Sequence, residues 1–149
     1  MNIDELREEI KRDEGSVNSV YLDHLNLPTT GIGHLITEKD EEHGKPVGTK
    51  VSDNRVNELF ATDIEVTISE CKELFDNFDD LPEEVQKICA NMMFNMGRPR
   101  LSKFKMFRAA LANKDWSECA VQMEDSRWHK QVTNRANRLI SRMRAVEGT

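Results

Sequence analysis

Glu14 and Asp23 have eight residues between them, and after five more comes Thr29. Glu14 closes a helix-like stretch, where the negative end of the helix dipole disfavours ionisation of a carboxylate. A partly buried glutamate so placed can keep its proton near neutral pH and serve as a general acid. Asp23 falls at a turn between β-like segments. One carboxylic acid on a helix end and one carboxylate on a facing β-turn is what glycosidic bond cleavage requires. The acid protonates the leaving oxygen, while the carboxylate and a hydroxyl neighbour hold and activate water on the other face of the sugar. The chain has 27 acidic residues, so the pairing alone does not select this chemistry.

These residues need elements to hold them. Ile3, Leu6 and Ile10 follow helical spacing and predict a first helix over about 3–12, with Gly15 just past its end. Val17, Val20 and Tyr21 precede a polar turn, and Thr29–Ile36 reads as the returning strand. Gly31 and Gly33 weaken that strand by propensity, which predicts tight packing or the close approach of a ligand. Residues 37–51 read as an exposed charged loop. Ser52 is a candidate N-cap for a helix running beyond 20 residues, carried by Val56, Leu59, Phe60, Ile64, Ile68, Cys71, Leu74 and Phe75. A helix of that length fills a core or bridges two lobes. A mostly apolar helix follows over Glu83–Met96, and further helices are expected at about 102–112, 115–124 and 134–145, with Asp115 and Thr133 as caps. The layout is α+β, mainly helical, with a minor β lobe near the start.

At 149 residues the chain fits one domain, or two small lobes sharing a core. No segment approaches the roughly 20 apolar residues of a membrane span. The charged start has no apolar stretch of signal-peptide type, so synthesis in a cytoplasm is expected. Cys71, Cys89 and Cys119 form no CxxC pair and are expected as reduced core thiols. His24, His34, His43 and His129 are scattered, and neither a metal nor a cofactor is expected. Residues 1–90 carry 9 Lys/Arg against 22 Asp/Glu, whereas residues 91–149 carry 12 against 5. That polarity suggests a basic face for an anionic polymer, or simply solvated helix surfaces.

The motifs in register narrow the field. Asp13-Glu14-Gly15, Tyr21-Leu22-Asp23 and Thr29-Thr30-Gly31-Ile32-Gly33-His34-Leu35 resemble the catalytic stretch of the T-even bacteriophage lysozyme and endolysin family. Further matches, in order, are Glu58-Leu59-Phe60 with Asp63, Asn91-Met92-Met93-Phe94-Asn95-Met96-Gly97, Trp116, Ser126-Arg127-Trp128 with Gln131, and Asn134-Arg135-Ala136 with Arg138. The resemblance covers nearly the whole chain.

It implies a lysozyme-like fold. A catalytic lobe would span 13–51, an inter-lobe helix 52–76 and a larger helical lobe 77–149, with helix 3–12 packing on the last. Glu14 would be the general acid, Asp23 would position or activate water, and Thr29 would help hold it. Sugar contacts carried over by position fall on Leu35, Phe94, Phe107 and Gln122. Arg135 is expected near Glu14, and His34 beside Asp63, raising the histidine's pKa and lowering the aspartate's. The reaction would be hydrolysis, with inversion, of the β-1,4 bond between N-acetylmuramic acid and N-acetylglucosamine in peptidoglycan. The implied protein is a monomeric endolysin that waits in the host cytoplasm until holin lesions release it, with no nucleic-acid partner and no stable membrane association. The turn His24-Leu25-Asn26-Leu27-Pro28 departs from the family's glycine- and aromatic-containing turn. Trp116 and Trp128 are expected to pack rather than to hold sugar. Three alternatives stand beside this reading: a lytic transglycosylase, a non-catalytic wall-binding protein, and a nucleic-acid-binding module using Arg127 to Arg144.

Overall fold

The computed structural model describes residues 1–146. Its elements run α1 (Ile3–Glu14), β1 (Val17–Leu22), β2 (Pro28–Gly31), β3 (His34–Leu35), α2 (Asp53–Leu74), α3 (Glu83–Met96), α4 (Arg98–Leu101), α5 (Lys105–Ala112), α6 (Trp116–Glu124), α7 (Arg127–Gln131) and α8 (Thr133–Ala145). One 3-10 turn, Phe78–Asp80, separates α2 from α3. The expected α+β, mainly helical, lysozyme-like layout is what the chain adopts. Two compact units emerge: residues 7–66 around the sheet, and residues 1–6 with those from Thr67 onward. The last three residues of the expected 77–149 segment lie outside the described residues.

In the β unit, the antiparallel sheet has the order β1-β2-β3. The returning strand expected over Thr29–Ile36 is in fact two strands. Gly31 and Gly33 sit at φ +63° and +62°, a left-handed conformation that cannot continue a strand, and the chain turns there. The free edge of β1 is covered: Val20 N–H donates to Thr49 O at 2.9 Å, and Gly48 N–H to Val20 O at 2.8 Å. The 37–51 segment is mostly exposed and built of turns, as expected, but it is anchored to the fold. Glu42 within it is buried and accepts from Arg55 Nε at 2.8 Å and Nη2 at 3.0 Å. A carboxylate can sit inside because a planar guanidinium satisfies both its oxygens. Ser52 caps α2 as expected, its Oγ accepting from Arg55 N–H at 3.1 Å.

The helical unit is organised by α3, whose Val85, Ile88, Cys89, Ala90, Met92, Met93 and Met96 are all buried. Trp128 is buried and its Nε1–H donates to Asn95 Oδ1 at 2.7 Å, while Trp116 is 5% exposed; both indoles pack, as expected. Cys71, Cys89 and Cys119 are free thiols in the core, and burial pushes each of them up in pKa. Asp115 caps α6, accepting from Glu118 N–H at 3.1 Å. Thr133 is no cap, because it is the first helical residue of α8, and its hydroxyl donates back to Lys130 O. Helices α4 and α7 were not anticipated. They are four and five residues long, too short for an apolar repeat to register. Basic residues of the C-terminal third answer acidic ones upstream within this unit: Arg98 pairs with Glu73, and Arg142 with Glu84. No helix among the described residues is long and apolar enough to cross a membrane.

Candidate active site

Glu14 is the last residue of α1. Helix propagation stops because Gly15 takes φ +74° while its N–H still donates to Lys11 O at 2.8 Å. The half-buried carboxyl group lies against the backbone of the β2–β3 turn. A Cβ placed on Gly33 would stand 2.6 Å from Glu14 Oε1 and 3.2 Å from its Cδ. Gly33 is therefore the seat of this carboxyl group, and only glycine supplies both the clearance and the positive φ. The close approach expected at the paired glycines is that of Glu14 itself.

Asp23 organises the turn between β1 and β2. Its Oδ1 accepts two backbone N–H bonds, from Leu25 at 2.8 Å and Leu27 at 2.9 Å. Its own N–H donates to Leu27 O at 3.0 Å, and Asn26 at φ +61° completes the reversal. One carboxylate oxygen is thus fixed by the backbone, which sets the direction of the other. Thr29 is buried on β2, and its hydroxyl donates to Leu27 O at 2.8 Å. With its proton so directed, Thr29 Oγ1 is left as an acceptor. The backbone that aims Asp23 therefore also orients the Thr29 hydroxyl. Tyr21 is paired with Thr29 across β1 and β2, and Thr29 with Leu35 across β2 and β3.

His34 stands on β3 between two carboxylates. Nδ1 is 2.7 Å from Asp63 Oδ2 and Nε2 is 2.8 Å from Asp40 Oδ2. Burial alone would discharge the ring, but both hydrogen bonds and both charges favour the imidazolium and raise its pKa to about 9. The expected Asp63 partner is present, and Asp40 is a second one. Asp40 is itself held below its usual carboxylate range. Burial opposes that, but the Thr37 N–H and the His34 ring outweigh it. The pair of contacts ties the start of the 37–51 segment to α2.

The remaining expected sugar contacts differ in standing. Leu35 is 47% exposed. Phe94 and Gln122 belong to the helical unit and are half-buried, Gln122 donating to Glu118 Oε1 at 2.7 Å. Phe107 is 1% exposed and packs edge-on against Phe75 and Phe104 with centroids 6.4 Å apart. A ring so enclosed offers no face to a sugar, and its role is core packing. Arg135 is buried, its Nε donating to Asn91 Oδ1 at 2.8 Å. His24 is exposed on the Asp23 turn. Among the described residues, no three metal-ligating side chains come together.

The family model described as phage lysozyme matches residues 11–147. The chain belongs to the phage lysozyme family. Two relatives in Dictyostelium discoideum, probable T4-type lysozymes 2 and 1, are each 30% identical to it, with 93% of both chains covered in each case. The pre-baseplate central spike protein Gp5 of Enterobacteria phage T4 is 27% identical over 90% of this chain, which corresponds to 26% of that longer protein. Lysozyme-type hydrolysis of the cell wall goes with this membership. Glu14, Asp23, Thr29 and Leu35 all fall in the unit spanning residues 7–66. Sequence reasoning did not single out Asp40, Glu42 or the seat at Gly33. Thr37 and Asp40, three apart at a chain reversal, carried the signal for the first. Glu42 and Arg55 are 13 residues apart on different elements, and no local pattern pairs them.

Proposed function

We propose that the protein is an endolysin that hydrolyses the β-1,4 bond between N-acetylmuramic acid and N-acetylglucosamine, with inversion at the anomeric carbon. Glu14 protonates the glycosidic oxygen as the bond to the leaving sugar breaks. Asp23 takes a proton from a water that Thr29 Oγ1 helps hold, and that water attacks from the other face. The observation that carries the reading is that one turn, through the Leu25 and Leu27 backbone, orients both Asp23 and Thr29, while Gly33 seats the Glu14 carboxyl group. Asp23 can accept the water's proton through its second oxygen because the first is held by Leu25 and Leu27 N–H. The Thr29 hydroxyl can accept a second hydrogen from the same water because its own proton goes to Leu27 O.

The reading favours water over an internal nucleophile. A lytic transglycosylase needs the acid but has no use for a carboxylate and hydroxyl arranged to hold water. The proposed sugar contacts are Leu35, Phe94 and Gln122. The proposed protein acts as a monomer on peptidoglycan, uses no cofactor, and depends on holin lesions to reach the wall. The test is clearing of outer-membrane-permeabilised Gram-negative cells by wild type and by Glu14→Gln. Wild type is expected to clear them and the variant to lose about 10²–10⁴-fold in rate, the worth of a general acid. Equal clearing by both would remove Glu14 from the acid role.

A further inference from the structure

We infer that Tyr21 is a further substrate-contacting residue, its phenol bordering the reacting muramic acid ring and hydrogen-bonding a hydroxyl or acetamido group of that sugar. The inference rests on the assignment of Glu14 and Asp23 given above. Strand register supplies the first support. Tyr21 is the partner of Thr29, and Thr29 is the partner of Leu35. Directly opposed residues of antiparallel strands project to the same face, so the three side chains form one row across the sheet. Alternation along β1 puts Tyr21 on the face opposite to buried Val20. Two residues beyond Tyr21 the same chain carries Asp23.

Electrostatics supplies the second support. Burial is the largest cause that holds the phenol proton in place, and the charges of Glu14 and then Asp23 add to it. A side chain that feels both carboxylates stands beside the space between them. In the proposed reaction that space holds the sugar ring, because acid and base act on its opposite sides. The third support is the hydroxyl itself. It is half-buried, yet among the described residues it has no hydrogen-bond partner. A neutral phenol both donates and accepts, which suits a sugar hydroxyl or an amide carbonyl. Because the proton is retained, Tyr21 is a contact for substrate and not a second acid or base.

Tyr21 is the sole tyrosine of the chain, so its position can be read directly. Incorporation of 3-fluorotyrosine gives one fluorine NMR signal whose pH titration reports the phenol. In Glu14→Gln and in Asp23→Asn, the phenol is expected to ionise at lower pH than in wild type. Soluble peptidoglycan glycan fragments are expected to move the wild-type signal. Tyr21→Phe is expected to lower kcat/KM on peptidoglycan about three- to tenfold, the effect of one neutral hydrogen bond, with an unchanged thermal melt and pH profile. Titration curves that coincide in wild type and both carboxylate variants would overturn the placement. Wild-type kinetics in Tyr21→Phe would overturn the contact. An inactive wild type would count against the muramidase reading instead, and the fluorine titration would still decide where the phenol lies.

Discussion

Gly33→Ala separates the cost of folding from the cost of catalysis. The added Cβ meets Glu14 Oε1 at 2.6 Å, whereas ordinary contact begins at about 3.4 Å. The carboxylate oxygen must therefore retreat by about 0.8 Å. It is the far end of a flexible side chain, so the retreat itself costs little stability. The positive φ of +62° adds about 1–2 kcal/mol of strain for a residue with a Cβ. Catalysis is far less tolerant, because a misplacement near 1 Å can cost about 10²-fold in rate. Gly44→Ala is the matched control. It has φ +81° and nothing beyond its chain neighbours within 4 Å of the added carbon, and those neighbours are His43 and Lys45, so it bears the strain without crowding Glu14. Thermal melts should place the two variants within about 1 kcal/mol of each other. Cell-clearing rates should differ by about 10²-fold, with Gly33→Ala the slower. Equal clearing by the two alanine variants would refute the claim that Gly33 seats the acid.

Three other outcomes are expected. Asp23→Asn keeps an acceptor for Leu25 and Leu27 N–H, so its melt should stay near wild type while clearing falls about 10²-fold or more; a large loss of stability would show that the turn needs the charge. His34 has a folded pKa raised from 6.5 to about 9, so its charge stabilises the fold fully below about pH 6.5 and is lost as pH rises through 9. That shift corresponds to on the order of 3 kcal/mol, and the gap in urea stability between wild type and His34→Gln should shrink between pH 6 and pH 10; a constant gap would contradict it. Asp115→Ala removes the N-cap of α6 and should cost about 1 kcal/mol in a denaturant melt without altering clearing.

Long periodic stretches were the legible part of the sequence. The apolar repeat of α2 and the mostly apolar run of α3 read directly as helices, because over 22 and 14 residues the period has room to show. The short α4 and α7 carried no such signal. The break between β2 and β3 was written in Gly31 and Gly33, but glycine permits a left-handed turn without requiring it. At the candidate site the residue types and spacing could be read, while the directions of the groups could not. The Asp23 oxygen held by Leu25 and Leu27 N–H depends on a turn closed by Asn26 at positive φ, and the Thr29 hydroxyl depends on the same carbonyl of Leu27. Phe107 was misplaced because a position matched to a family says nothing of burial. An aromatic ring there packs against Phe75 and Phe104 instead of facing solvent. Charge pairs such as Glu42–Arg55 and His34–Asp40 join separate elements, and tertiary structure alone brings them together.

The most direct test is proton NMR of the new reducing end, recorded during the first minutes of peptidoglycan digestion. Attack by a water held at Asp23 and Thr29, opposite the acid Glu14, predicts that N-acetylmuramic acid appears first as the α-anomer and then mutarotates. A β-anomer formed first would contradict inversion, and a 1,6-anhydro product without a reducing end would contradict hydrolysis altogether.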